Sequence, residues 1–499
     1  MIYLSALFIP ILGFLLQIYP RLLNKYYGLD VWVKMIEADI FRKNGHHIPM
    51  EKVKEGFMLE GYFVYPPALP WLLSFLSKKT LLRVQGFISP IFDAVHNILI
   101  FFITYQITGK FEIALVAQFI YATIPLIILE NSYLTPRSLG YMLFTLAFYP
   151  LIAYSINPNI LFLTVSFIGL VVCFFSHKFP IQSFLFISIF FLIIERNPLY
   201  ILMFFTAMGT ALVISKGYYY KILEEHIANI YLWSINFRHR FSHQVRQNNS
   251  KIKTDLVSYI YLVLSKFTPF SLLGVNLWTL GPLAFLVFKI INIDFLPISN
   301  FLLFKLSLWA FFFYILSILV LSIKYLTPIG EGQRYMEMAL APTVIVTAVI
   351  FSHLIRTDFK LLAIIILAAI TFINLAISIF LQWKVVIKDK DRTMTKGMQE
   401  GFKYINTLKF RPRIICLPQK IAYMVLYNTK SEVLVDFQPR TAAKIADVYP
   451  VLTKSIKEIA RKYNLNLLVL KKDYSSLKDL GLKKNSVLYE TEDMEVIKI

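Results

Sequence analysis

As far as residue 381 the apolar positions gather in runs, most of them about as long as a bilayer core is thick, with polar segments between them. The runs predict eleven transmembrane helices, at roughly 2–20, 86–108, 112–131, 138–155, 159–176, 181–195, 198–215, 272–290, 302–324, 335–355 and 361–381. The first run lacks a basic segment ahead of it and a small-residue cleavage site, so it reads as a retained span. An odd number of spans puts the two ends of the chain on opposite sides. Lys and Arg in the short loops split five against four, which leaves the orientation open.

Three segments depart from this pattern. In the first, residues 20–85, Asp30, Lys34 and Glu37 share one helical face and Trp32, Ile36 and Ile40 another, which predicts a helix lying along the membrane interface. The same segment continues with Tyr65-Pro66-Pro67 and a short apolar stretch to Leu76, too short to span and opened by prolines. It predicts a helix dipping in from one side. The second, residues 216–270, is basic and aromatic. The third is the tail from about residue 384, where the periodicity changes.

There, 398–408 and 452–463 have helical spacing, and 414–417, 433–435, 467–470, 487–489 and 496–499 are short β-type runs between polar turns. The pattern predicts a polytopic α-helical membrane domain over 1–383 and a small soluble α/β domain over 384–499.

Composition agrees. The chain is 57% hydrophobic and only 16% charged, with 44 Phe and 29 Tyr, more apolar surface than a soluble core of this length can hide. A secreted disulfide scaffold, a disordered protein and a soluble nucleic-acid binder are excluded. The net charge of +21 fits contact with anionic headgroups or a basic face for a phosphorylated lipid. Two cysteines build neither a disulfide framework nor a thiolate metal site. No GxGxxG or Walker-type loop is present, so ATP- or NAD-driven chemistry has no support.

Acidic residues beside apolar spans are functional candidates, because their charge is costly without water, a cation or a partner. Asp30 is a candidate general base, with a helix N-cap as its bland alternative. Glu130, at the end of the third span, is a second carboxylate expected on the same membrane face. Asp93 and His96 read as a buried structural pair. His177-Lys178 and Arg334-Tyr335 stand at that same face and are suited to a phosphate leaving group, with snorkelling as the alternative for Lys178. The glycine pair in Gly330-Glu331-Gly332 suggests a lid or ligand loop before Arg334. His239 and His243 have the spacing of a two-histidine metal site, but Arg238, Arg240 and Arg246 beside them would repel a cation.

Asp30-Val31-Trp32 after the first span, then Tyr65-Pro66-Pro67, Glu130 followed by Pro136-Arg137, His177-Lys178 and Arg334-Tyr335 together resemble the GT-C glycosyltransferases. These polytopic enzymes use polyprenyl-phosphate-linked sugars and include protein O-mannosyltransferases, the lipid A aminoarabinose transferase and the catalytic subunit of oligosaccharyltransferase. The resemblance implies a catalytic Asp30 and Glu130, with Tyr65, Arg137, His177, Lys178, Arg334 and Tyr335 binding substrate. It implies a polyprenyl-phosphate sugar as donor, a protein, lipid or glycan as acceptor, and no nucleic-acid partner. It also implies a cytoplasmic amino terminus, with the first loop and the carboxy-terminal domain extracytoplasmic. The Trp-Trp-Asp-Tyr-Gly motif of oligosaccharyltransferases is absent, so transfer of an N-glycan is not expected. Val33-Lys34 stands where the family often has an aromatic–His pair, which leaves dependence on a divalent metal open. The alternative reading is a transporter or flippase for a lipid-linked or anionic solute, against which stands the lack of repeated halves.

Overall fold

The computed structural model describes residues 2–236, 239, 242–246, 268–291, 300–435 and 442–499. The chain divides into two compact units. One comprises Met1–Leu23, Gly86–Tyr219 and Thr254–Lys388, and the other Asn24–Gln85, Tyr220–Lys253 and Asp389–Ile499.

The first unit is helical. It holds α1 (Ile2–Leu23), whereas α2 (Leu29–Lys43) and α3 (Ala68–Ser74) belong to the second; α4 (Lys78–Thr108) begins in the second and runs through the first. Then follow α5 (Phe111–Ala122), α6 (Pro125–Glu130), α7 (Arg137–Ile156), α8 (Ile160–Phe174), α9 (Lys178–Glu195) and α10 (Leu199–Ile214). After α11 (Tyr218–Asn236) come the apolar helices Leu277–Ile290, Phe301–Ser322, Gln333–Leu354 and Lys360–Ile387.

Among the described residues seven helices, not eleven, are by themselves long and apolar enough to cross a membrane; α10 and α11 make an eighth only as a pair bent by 120°. The expected third span is broken because Pro125 has no N–H to continue α5 and instead opens α6. The expected span at 272–290 breaks at Asn276. Large apolar side chains such as Val213 (78% exposed), Phe372 (74%) and Ile290 (79%) point away from the protein. Such faces are stable in lipid and not in water, so this is a multi-pass membrane protein.

Inside the first unit aromatic rings do much of the packing. Phe148 meets Trp309 edge-on at 4.9 Å and Phe184 at 5.3 Å, and Trp309 donates its indole N–H to the Met338 carbonyl at 2.9 Å. At α8, a Cβ on Gly169 would lie 3.3 Å from the Ala147 backbone, so glycine lets α7 and α8 approach closely.

The second unit carries a five-stranded sheet in the order β2-β1-β3-β5-β4, from β1 (Arg413–Leu417), β2 (Glu432–Val433), β3 (Leu467–Lys471), β4 (Val487–Glu490) and β5 (Met494–Lys498). Strands β2, β1 and β3 run parallel; β5 and β4 are antiparallel neighbours. Helices Lys396–Thr407, Ala422–Asn428 and Ile456–Tyr463 accompany it, so the predicted α/β tail is present; the helix Ala422–Asn428 was not expected. A capping box starts the last helix: Ser455 Oγ accepts from the Glu458 N–H, and Glu458 Oε2 accepts from the Ser455 N–H. The first loop lies in this same unit. Met58 N–H donates to the Val433 carbonyl (3.1 Å) and Val433 N–H to Gly56 (2.9 Å), covering the β2 edge.

Candidate active site

Helix α2 starts at Leu29. Gly28, at a φ of 101° open to glycine, occupies the cap position and donates its N–H to the Arg392 carbonyl at 2.9 Å. Asp30 therefore sits in the first helical turn rather than at the cap, makes no capping hydrogen bond and is exposed. An anion there is favoured by the helix dipole.

One and two turns on, Lys34 and Glu37 are both buried and paired at 2.7 Å. The Lys34 ammonium also lies 3.5 Å from the centre of the Tyr65 ring. Burial alone would lower the Lys34 pKa, but Glu37, Tyr65 and Asp30 hold it above the usual lysine value. Helix α2, expected to lie along the membrane interface, is largely buried on both faces. Its apolar face packs inward, with Trp32 against Tyr427 at 5.5 Å, and its polar face is closed by the Lys34–Glu37 pair. The short helix expected after Tyr65-Pro66-Pro67 is present as the seven-residue α3, with Trp71, Leu72 and the following Phe75 exposed.

The other six candidates belong to the first unit and are linked by contacts. Arg137, at the first position of α7, pairs with Glu337 at 2.9 Å and with Glu130 through its other terminal nitrogen, which also donates to Tyr133 Oη. Both arginine and Glu337 are buried. Arg137, a candidate for substrate binding, has its guanidinium engaged by two carboxylates and holds Glu130 in place. Arg334 pairs with Glu331 at 2.8 Å, is within electrostatic range of Glu337, and lies over the Phe179 ring at 5.2 Å. Phe179 in turn meets Tyr335 edge-on at 5.7 Å and stacks on His177 at 5.5 Å, while Lys178 lies 5.9 Å from its ring. His177 caps α9, its Nδ1 accepting from the Phe179 N–H.

The glycines of the Gly330–Tyr335 segment are in close packing rather than a loose lid. A Cβ on Gly330 would lie 2.4 Å from the Phe179 ring, and one on Gly332 2.5 Å from the Ser317 carbonyl. Asp93 and His96 do not bond each other directly. Asp93 accepts from Gln17, Tyr121 and Tyr141, and His96 bonds Tyr121 Oη at 2.7 Å and Thr145 Oγ1 at 2.9 Å, so Tyr121 joins them.

Among the described residues no three His, Cys, Asp or Glu side chains converge as a metal ion requires. His243 is not on a helix with His239; it stacks on Tyr474 at 4.0 Å. Arg238, Arg240 and residues 247–267 of the second loop lie outside the described residues.

No protein-family model and no curated protein matches the sequence. The fold, however, is similar to that of solved membrane proteins. ArnT from Cupriavidus metallidurans, bound to undecaprenyl phosphate, is 11% identical with a TM-score of 0.56, covering 99% of this chain and 97% of that one. The archaeal oligosaccharyltransferase AglB from Archaeoglobus fulgidus, in complex with an inhibitory peptide and a dolichol-phosphate, is 11% identical with a TM-score of 0.61, covering 94% and 69%. The chain has a GT-C fold. Another structure of the Archaeoglobus fulgidus oligosaccharyltransferase, with zinc and sulfate, gives 13% identity and a TM-score of 0.56.

Two charged partners escaped the sequence reading. Glu337 is a carboxylate inside an apolar run, a signal that was available. Glu195 pairs with Lys305 at 2.9 Å, a match of two residues far apart in the chain that no local pattern reveals.

Proposed function

We propose that this GT-C chain is a membrane glycosyltransferase that moves a sugar from a polyprenyl-phosphate-linked donor to an extracytoplasmic acceptor with inversion. Asp30 is the base. It takes the proton of the acceptor nucleophile as that nucleophile attacks the anomeric carbon. The bond from that carbon to the phosphate oxygen breaks, and the polyprenyl phosphate leaves with the electron pair. Arg334, with His177, Lys178 and Tyr335 around Phe179, receives the negative charge of the departing phosphate. Arg137 holds Glu130 in place, and Tyr65 with Lys34 backs Asp30. No step is routed through a metal. In this reading the amino terminus is cytoplasmic, and the first loop and carboxy-terminal domain are extracytoplasmic.

The observation that carries the reading is Asp30 itself. It is an exposed carboxylate free of capping duty, on a helix that packs Trp32 against Tyr427 and carries a buried ion pair, in a chain whose fold is that of proteins solved with polyprenyl phosphates. The test is transfer from a panel of labelled polyprenyl-phosphate monosaccharides, comparing wild type with Asp30→Asn. Turnover that depends on Asp30 supports the proposal. Binding of a donor without turnover, in wild type and variant alike, would favour a flippase.

A further inference from the structure

A groove of about 1100 Å³ opens within the second unit. One wall is the far end of α2 with the hairpin-like turn 48–57, and the other is the turn 405–412 with residues 426–431. Its apolar residues include Ile36, Ile40, Leu408 and Phe410, and it is lined by seven basic side chains against three acidic ones. Four of the seven are already tied in ion pairs, for example Lys43 with Glu55 at 2.7 Å and Lys78 with Asp39 at 3.5 Å. Among the described residues Lys52, Lys409 and Lys430 are exposed and have no carboxylate partner. A second observation is independent of charge. Among the described residues the hydroxyls of Tyr427 and Ser431, both on lining residues, are buried and make no hydrogen bond, an arrangement that costs stability.

The groove is also close to the candidate base. Ile36 is the first α2 residue to line it, six residues beyond Asp30, or about 9 Å along the helix axis. A chain lying there would place its next few residues near the first turn of α2. Aliphatic residues beneath basic ones suit an extended peptide with alternating apolar and acidic side chains, since apolar side chains need a dry surface and carboxylates a cation.

We propose that this groove seats an acidic peptide segment of the acceptor, next to the residue that is glycosylated. The role as acceptor rests on the transferase reading above; the binding does not.

The test uses the full chain in phosphatidylcholine nanodiscs without donor. Fluorescence anisotropy follows a labelled peptide alternating glutamate and leucine, and a control alternating glutamine and leucine. The acidic peptide is expected to bind at least about tenfold more tightly than the control, and more weakly as salt rises. The surface variant Lys52→Glu/Lys409→Glu/Lys430→Glu should lose about tenfold in affinity. The same three positions changed to Gln should lose less. Equal binding of the two peptides overturns the proposal. So does unchanged peptide affinity in the triple Glu variant, including the case where that variant instead loses binding to phosphatidylglycerol vesicles and the patch is a lipid contact. Peptide binding as expected, with no sugar transfer from any donor, would leave the groove standing and remove the transferase.

Discussion

Lys34 Nζ lies 2.7 Å from Glu37 Oε2, and both side chains are more than nine-tenths buried, within two turns of Asp30. Each charge is in place only because of the other. Taking two ions out of water costs several kcal/mol apiece, and their attraction offsets this only while both are present.

Lys34→Met should therefore destabilise the protein by about 3–5 kcal/mol, because a buried Glu37 is left without its counter-charge. Lys34→Met combined with Glu37→Met should recover most of that loss. Thermal unfolding of the purified protein measures both; a double variant no better than the single one would show that the pair is not the source of the cost.

Asp30→Asn should behave in the opposite way. The side chain is exposed and caps nothing, so stability should change by less than about 0.5 kcal/mol. Transfer activity should fall by about 100-fold or more if the carboxylate removes a proton. A marked fall in melting temperature would mean that Asp30 supports the fold.

Arg137→Ala strands both Glu130 and the buried Glu337. The expected loss is about 3–5 kcal/mol, partly restored by adding Glu337→Gln, which removes one of the two uncompensated charges. If Arg137 were instead a donor-phosphate ligand, Arg137→Ala would keep the wild-type melting temperature and lose donor binding alone.

Why some of this was legible and some not follows from how local each signal is. The tail elements could be read because amphipathic spacing is local: the Ser455–Glu458 box and the strand 467–471 are legible within a few residues. Asp30 stands out as a candidate because charge beside an apolar run is local too. The breaks at Pro125 and Asn276 were hidden inside runs whose hydropathy continues across them. The burial of α2 was illegible because it depends on Tyr427, almost four hundred residues away, and a solvated polar face has the same spacing as a face closed by an internal ion pair. Likewise the pairing of Arg137 with Glu337 is not legible, because folding brings together residues two hundred positions apart.

His243 offers a test by pH. Its Nε2–H donates to the Tyr474 carbonyl at 2.9 Å, while Nδ1 accepts from the Arg246 N–H at 3.1 Å. The neutral ring satisfies both bonds, and a second proton would abolish the latter. Partial burial first, then nearby Arg246, lower its pKa below the usual histidine value despite the Tyr474 carbonyl. The sign follows: docking of this segment on Tyr474 is fully favourable above about pH 6.5 and is lost as pH falls through the depressed folded pKa. An NMR titration of His243 should show a midpoint below about 6.5, and a midpoint above it would contradict the bonding described.

Gly330→Ala should damage the segment that carries Arg334 more than its small size suggests. Gly330 has a φ of 144°, where a side chain is strained by about 1–3 kcal/mol, and the added methyl would meet the Phe179 ring at 2.4 Å. Phe179 is also the ring that Arg334, His177 and Tyr335 share, so its displacement reaches all three. The expected outcome is a moderate fall in melting temperature with a larger fall in donor binding, and Phe179→Leu in the same chain should relieve the clash without restoring the ring contacts. If the paired substitution recovers stability but not donor binding, the ring positions the cationic groups. If it recovers both, Phe179 acts only as packing and Arg334 is placed by Glu331.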